Sequence, residues 1–285
     1  MGLADKILEK LQGEECHGQP NHRAMEGKMR FLMILVTLIL ILVFIPFDSA
    51  FAVRPFITDD ARVTPAHTFL TETSLRLDEN RFQNLTLFGL GFTDKLEGTI
   101  GFTDGILLKD EEGTAYQFSI AGPLLQLKYL FNEQKGKHGI PAFGIAAGVN
   151  PPWGLGSTNF PPQSWSEFCF LLMSKAFSSH PEHFNLHVNL GATNTHNPDG
   201  KMSQEVTWGI GIQYHLFRDV IYGITEVVSG DPYGVSAGAT YQVGLRFFIS
   251  KQMQLDASYG AGIWGDPRPG WFLGFGFRFF TDPLW

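Results

Sequence analysis

The chain has 285 residues, of which 17% are charged and 14% aromatic, with a formal net charge of −7, 32 glycines, 26 phenylalanines and two cysteines. An acidic balance without basic stripes argues against nucleic acid as a partner, because that footprint is a face of Lys and Arg. Cys16 falls in a leader and Cys169 then stands alone, so no intramolecular disulfide is available, and Cys169 reads as small apolar strand filler.

Residues 1–28 are polar, mixed in charge and aperiodic, and read as an extension ahead of the true start, which falls at Met25 or Met29. Lys28 and Arg30 flank an apolar run from Phe31 to Phe47, followed by Asp48-Ser-Ala-Phe-Ala52. A basic flank, an apolar stretch and an A-x-A box make 29–52 a signal peptide cleaved after Ala52. An uncleaved inner-membrane anchor competes, since the run approaches the ~18 residues of a membrane helix; Pro46 and the cleavage box favour the signal. Removing 1–52 takes away five basic and six acidic residues and leaves 233 residues with 16 basic and 22 acidic, a net of −6.

No later apolar run is long enough for a membrane helix. An exported chain that is rich in Gly and Phe and poor in charge can still cross a bilayer as a closed β-barrel, because closure pairs every backbone group inside lipid. Its signature is segments of about ten residues with alternating hydrophobicity, separated by turns. Residues 53–66 are extended, Pro-bounded and aperiodic. Strands are then expected near 67–77, 83–92, 95–106, 116–131, 139–149, 164–176, 182–193, 203–216, 219–229, 236–249, 252–263 and 270–280. Gly-Phe-Thr-Asp occurs at 91–94 and again at 101–104. A phosphate loop would need a helix to follow, but Leu96-Glu-Gly-Thr-Ile-Gly-Phe102 alternates as a strand does. Thr93-Asp94 therefore reads as a hairpin turn, and the second copy ends the next strand. Connections alternate: short at Thr93-Asp94, 132–138, 178–181, 218–219 and 250–252, longer at 107–115, 150–163 and 194–202. Short turns inside and long loops outside are the habit of outer-membrane barrels. The expected fold is all-β: a transmembrane antiparallel β-barrel of about twelve strands, an even number, with both termini periplasmic and residues 67–280 forming the wall.

Side chains alternate across a strand, so facing is legible. Trp271, Leu273, Phe275, Phe277 and Phe279 oppose Gly274, Gly276 and Arg278; Met253, Leu255, Ala257 and Tyr259 oppose Gln254, Asp256 and Ser258. In the strand at 164–176, Cys169, Leu171 and Met173 are expected to face inward. A three-residue turn at 250–252 keeps Ile249 and Met253 on one face and sets Arg246 opposite Asp256. The inward charges Glu72, Arg76, Glu97, Lys128, Glu226, Arg246, Asp256 and Arg278, together with His187, are the candidate lumen residues. They form either a selective eyelet or cross-strand pairs that neutralise one another; the alternation in sign favours the latter. Tyr222, Phe248 and Phe280 face inward near the periplasmic rim, where Phe56 of the N-terminal segment can join them as a plug.

His180-Pro-Glu-His183 with His187 has the residue types of a zinc site, but Pro181 and the following strand break the spacing, and a polar turn with an inward His187 is the simpler reading. Asn197-Pro-Asp-Gly200 and Gly230-Asp-Pro-Tyr-Gly234 lack the spaced carboxylates of calcium loops and read as turns. No metal site and no cofactor are expected. Ser258 and His215 point inward on distant strands, and no Gly-x-Ser-x-Gly elbow exists, so no catalytic residues are assigned.

"RPFITDDARV" after the leader resembles the opening of the outer-membrane proteins of the MetA-pathway of phenol degradation family, which are described as transporters. "LGFTDKLEGTIGF", "LLQLKYLFNEQKGKHGIPAFGIAAGV", "NLHVNLGAT", "VTWGIGIQYHLFRDVIYGITEV", "YQVGLRFFISKQMQLDASYGAGIWG" and "WFLGFGFRF" follow in order across 53–280. Asn150-Pro-Pro-Trp-Gly departs from the family's Pro-Thr-Gly, and Thr281–Trp285 extends past the usual final aromatic residue, which bears on how the assembly machinery reads the C-terminus. The resemblance implies a channel in the cell outer membrane passing small hydrophobic or aromatic solutes by passive diffusion. Outer-membrane lipid and the assembly machinery would be its partners. A barrel-embedded lipid or acyl hydrolase and a structural barrel without transport are the alternatives.

Overall fold

The computed structural model describes residues 56–108, 117–156, 165–180, 183–196, 201–230, 238–265 and 270–284. The expectations for 1–52, 197–200 and 231–234 lie outside these residues. Period-two alternation becomes thirteen strands among the described residues: β1 (Phe69–Asp78), β2 (Arg81–Thr93), β3 (Leu96–Leu107), β4 (Gln117–Asn132), β5 (Ala142–Asn150), β6 (Gly154–Leu155), β7 (Trp165–Ala176), β8 (Phe184–His196), β9 (Met202–Phe217), β10 (Ile221–Ser229), β11 (Gly238–Phe248), β12 (Met253–Gly265) and β13 (Phe272–Phe280). Twelve of them pair antiparallel in a closed ring, β13 returning to β1 with Arg278 opposite Glu72, while the two-residue β6 attaches to β4. The protein is a transmembrane antiparallel β-barrel. Closure is what removes the edges that lipid could not hydrate.

The wall is apolar outward. Leu127, Leu171, Leu190, Val243, Tyr259 and Phe275 are exposed on its outer face, where lipid is the matching solvent. Aromatic residues collect at both rims: Trp208 packs on Trp264 at one end, and Phe177 on Phe184 at the end where β1 begins and β13 finishes, the termini end of the wall. The tail beyond β13 is also paired, Thr281 donating to Phe69 O at 2.9 Å and Leu284 to His67 O at 2.8 Å.

Three local expectations are corrected. In β7 the inward residues are Ser166, Phe168, Phe170, Leu172 and Ser174; Cys169, Leu171 and Met173 face outward. Both faces of this strand are apolar, so hydrophobicity alone could not choose between them. The β2–β3 hairpin turns at Asp94-Lys95, Thr93 still pairing with Leu96. A short turn, Glu79-Asn80, also lies at the end away from the termini, held by Asp78 Oδ1, which accepts from Asn80 N and Arg81 N. Short and long connections are thus not cleanly segregated.

The interior has two sectors. Leu85, Leu87, Leu124, Leu130, Phe168, Phe170 and Leu172 form an apolar cluster on the wall from β2 to β7. The sector from β8 to β1 is polar, with Gln213, Glu226, Gln242, Arg246, Gln254, Asp256, Arg278 and Glu72 all buried.

Candidate functional site

Inside the barrel lies the chain's own N-terminal segment. From Phe56 to Thr64 it has no strand pairing, so its backbone groups must find partners on the wall. Glu226 of β10 takes two of them: Oε1 accepts from Ile57 N at 3.0 Å and Oε2 from Thr58 N at 2.9 Å. Ser174 Oγ of β7 accepts from Ala61 N at 2.9 Å and lies 2.8 Å from His187 Nδ1. Glu97 of β3 accepts from Thr64 N at 2.7 Å. Asn189, oriented so that donors meet acceptors, bonds Asp59 N at 2.7 Å and Asp59 O at 2.9 Å. Lys128 Nζ donates to Asp59 Oδ1 at 3.0 Å.

These anchors span the lumen. Round the ring from β10 the strands run β11, β12, β13, β1, β2 and β3, so Glu226 and Glu97 sit half a circumference apart. Seven residues in extended form reach roughly 23 Å, enough to cross between them. Ala61 and Val63 meanwhile pack on the apolar sector. Glycine makes room on the polar side: a Cβ on Gly209 or Gly211 would come within 2.7 Å or 3.2 Å of the Thr58 side chain. Voids beside the segment are small, about 30 Å³ next to Glu97 and Lys128 and about 20 Å³ next to Glu226 and Arg246, room for a water or so. A larger cavity of about 240 Å³ opens at the termini end, lined by Arg62, Gln134, Lys137, Ser174 and Asn185.

Within the segment, Arg62 folds back on Asp60, its Nε donating to Oδ2 at 2.6 Å and its backbone N to Oδ1 at 3.0 Å. Burial opposes charge on Asp60, yet the guanidinium of Arg62, the nearby His187 and the hydrogen bonds from Arg62 outweigh it and hold the pKa below the usual carboxylate range.

Most of the residues singled out from the sequence lie on this inner face. Arg246 is opposite Asp256, Nε to Oδ1 being 2.8 Å, and its Nη1 donates to Gln213 Oε1 at 2.7 Å. Arg278 reaches Glu72 at 3.4 Å and covers the Phe280 ring at 3.9 Å. Arg76, half-buried, lies over Phe272 at 3.9 Å and the same distance from Asp78. Glu97 and Lys128 are register partners on β3 and β4, each engaged by the segment. Glu226 Oε1 also accepts from Gln242 Nε2 at 2.6 Å. Tyr222 meets Phe248 edge-on at 5.1 Å, and Phe56 lies beside Arg246, 5.9 Å from its guanidinium carbon.

Sequence reasoning missed the other half of these contacts: Asp59, Asp60, Ser174, Asn189, Gln213 and Gln242. For Ser174, Asn189, Gln213 and Gln242 the signal was parity, since Ser, Asn and Gln recur at inward positions, but parity does not say that a backbone will arrive to use them; Asp59 and Asp60 lie in an aperiodic segment that carries no such signal. The serine and histidine weighed for hydrolysis stay apart. Ser258 Oγ donates to Gln242 Oε1 at 2.8 Å, whereas His215 is at the termini-end rim beside Asp219.

The family model described as "Putative MetA-pathway of phenol degradation" matches residues 58–280. No curated protein gives a significant match. Among solved structures, the chain is similar to the COG4313 outer membrane channel from Pseudomonas putida F1, with 12% identity, a TM-score of 0.51, and coverage of 81% of this chain and 100% of that one. The KdgM porin aligns at 10% identity and TM-score 0.49, over 74% of this chain and 98% of that one. Outer membrane phospholipase A from Escherichia coli aligns at 13% and 0.40, over 76% and 93%. At such identities the likeness to the channel shows the fold alone. The family match covers the whole barrel and the segment threaded through it from Thr58 onward, and the chain belongs to the MetA-pathway of phenol degradation family.

Proposed function

We propose that this protein is an outer-membrane channel through which small apolar or aromatic solutes diffuse passively, with residues 53–66 acting as a plug entered from the periplasmic end. The observation that carries this is the segment itself: a crossing strand held mainly by carboxylates and side-chain polar groups, which can exchange for water. Releasing it would uncover an apolar sector facing a polar one, a lining suited to a ring bearing one polar group. Family membership and the channel-like fold support transport, and the family description points toward phenolic compounds.

Planar-bilayer recording tests it. Deleting residues 54–62 raises single-channel conductance, and a neutral aromatic alcohol permeates the deletion variant faster than a sugar of similar size. Equal conductance would place the segment outside the permeation path. An acyl hydrolase is the competing reading, favoured by the 2.8 Å Ser174–His187 contact. It would be supported by ester cleavage that Ser174→Ala abolishes, in a barrel that does not conduct.

A further inference from the structure

Two turns at the termini end bring together a set of side chains that the channel reading does not use. β8 and β9 pair with Phe184 opposite Tyr214, and the ladder runs on one step, His215 N donating to His183 O at 2.8 Å. His183 and His215 are therefore cross-strand neighbours, and their rings stack 4.4 Å apart at 21°. From the β9–β10 turn Asp219 turns back between them: its Oδ1 lies 2.6 Å from His183 Nε2 and 3.3 Å from His215 Nε2. That turn holds Arg218 and Asp219 both at positive φ, 48° and 52°, a conformation that costs non-glycine residues energy and here aims the carboxylate at the imidazoles.

We propose that His183, His215 and Asp219 form a binding site for a divalent transition-metal ion, Zn²⁺ being the expected occupant. Their three donor atoms lie within 4.8 Å of one another. Bonds of about 2.0–2.1 Å in a tetrahedron separate ligand atoms by roughly 3.3 Å, the distance already found between His215 Nε2 and Asp219 Oδ1. The His183–Asp219 contact must open by under one ångström. The tautomer of His215 is favourable as well. Asp219 N–H donates to His215 Nε2 at 3.0 Å, so Nε2 is the unprotonated nitrogen, and its single lone pair exchanges this hydrogen bond for the ion on binding. His183 Nε2 donates its proton to Asp219 and would release it on binding. Both imidazoles are about one-third exposed and Asp219 more than half, so an ion can reach them and water can complete the coordination. Two nitrogens and one oxygen suit Zn²⁺ or Cu²⁺ rather than Mg²⁺ or Ca²⁺. His187, grouped with His183 in the sequence, is elsewhere, buried against Ser174.

Isothermal titration of Zn²⁺ into the folded, tag-free, chelator-treated barrel in detergent tests the site. One equivalent should bind, and His183→Asn, His215→Asn and Asp219→Asn should each weaken it about tenfold or more, since even outer-sphere losses cost that much. His196→Asn, at the other end of the wall, should leave it unchanged. Folding of each variant is checked by heat-modifiable migration, and Asp219→Asn, in an exposed turn, keeps the test open if a histidine variant misfolds. Absence of Zn²⁺ binding by the parent barrel, or binding that persists undiminished in the three variants, would overturn the proposal.

Discussion

Arg246 and Asp256 face each other across the β11–β12 hairpin with both side chains almost fully buried. A buried pair adds little over an apolar pair, but losing one partner strands the other. Asp256→Ala should therefore lower unfolding stability by about 3–5 kcal/mol, and adding Arg246→Ala should recover part of that loss. Urea unfolding in micelles reads both, and a double variant worse than the single would refute the pairing. Glu226 differs, because its work is to accept two backbone N–H groups of the segment. Hydrogen bonds to a charged acceptor contribute about 1.5–3 kcal/mol. Glu226→Ala should speed hydrogen exchange in peptides covering 56–62 about tenfold or more, with the β10 amides unchanged.

At the scale of elements, the segment competes with the strands for the same interior. Its seat on Gly209 and Gly211 offers a way to ask whether it moves. A Cβ built on Gly211 lies 3.2 Å from Thr58 Cβ, close to the roughly 3.5–4.5 Å that a disulfide spans. Thr58→Cys with Gly211→Cys, in a Cys169→Ser background to remove the outward thiol, should cross-link on oxidation. The oxidised barrel should conduct less than the same barrel after reduction. Equal conductance in the two states would mean that the segment does not leave its seat during permeation.

For the whole molecule, closure sets the ledger. Twelve strands leave no edge, so stability comes from the ladder and the lipid-facing band, while the interior is free to carry charge. The proposal that residues 1–52 are a leader removed on export also belongs to this scale. N-terminal sequencing of the membrane-extracted protein should return Val53, as the box Ala50-Phe-Ala52 implies; a start at Met1 or Met29 would show an uncleaved leader and a tethered segment.

The sequence by itself determined the barrel, its twelve wall strands to within a few residues, and the Arg246–Asp256 register. Period two and turn length are local properties, and a slip of one residue would expose every apolar side chain to the lumen. It could not decide the facing of β7, where both faces are apolar. Nor could it show that Asp59, Ser174 and Asn189 hold a crossing chain, or that His183 would meet His215 and Asp219 rather than His187. Those meetings depend on ring closure, on strand neighbours distant in sequence and on where an aperiodic segment comes to rest. None of these leaves a period in the chain, and only the tertiary structure settled them.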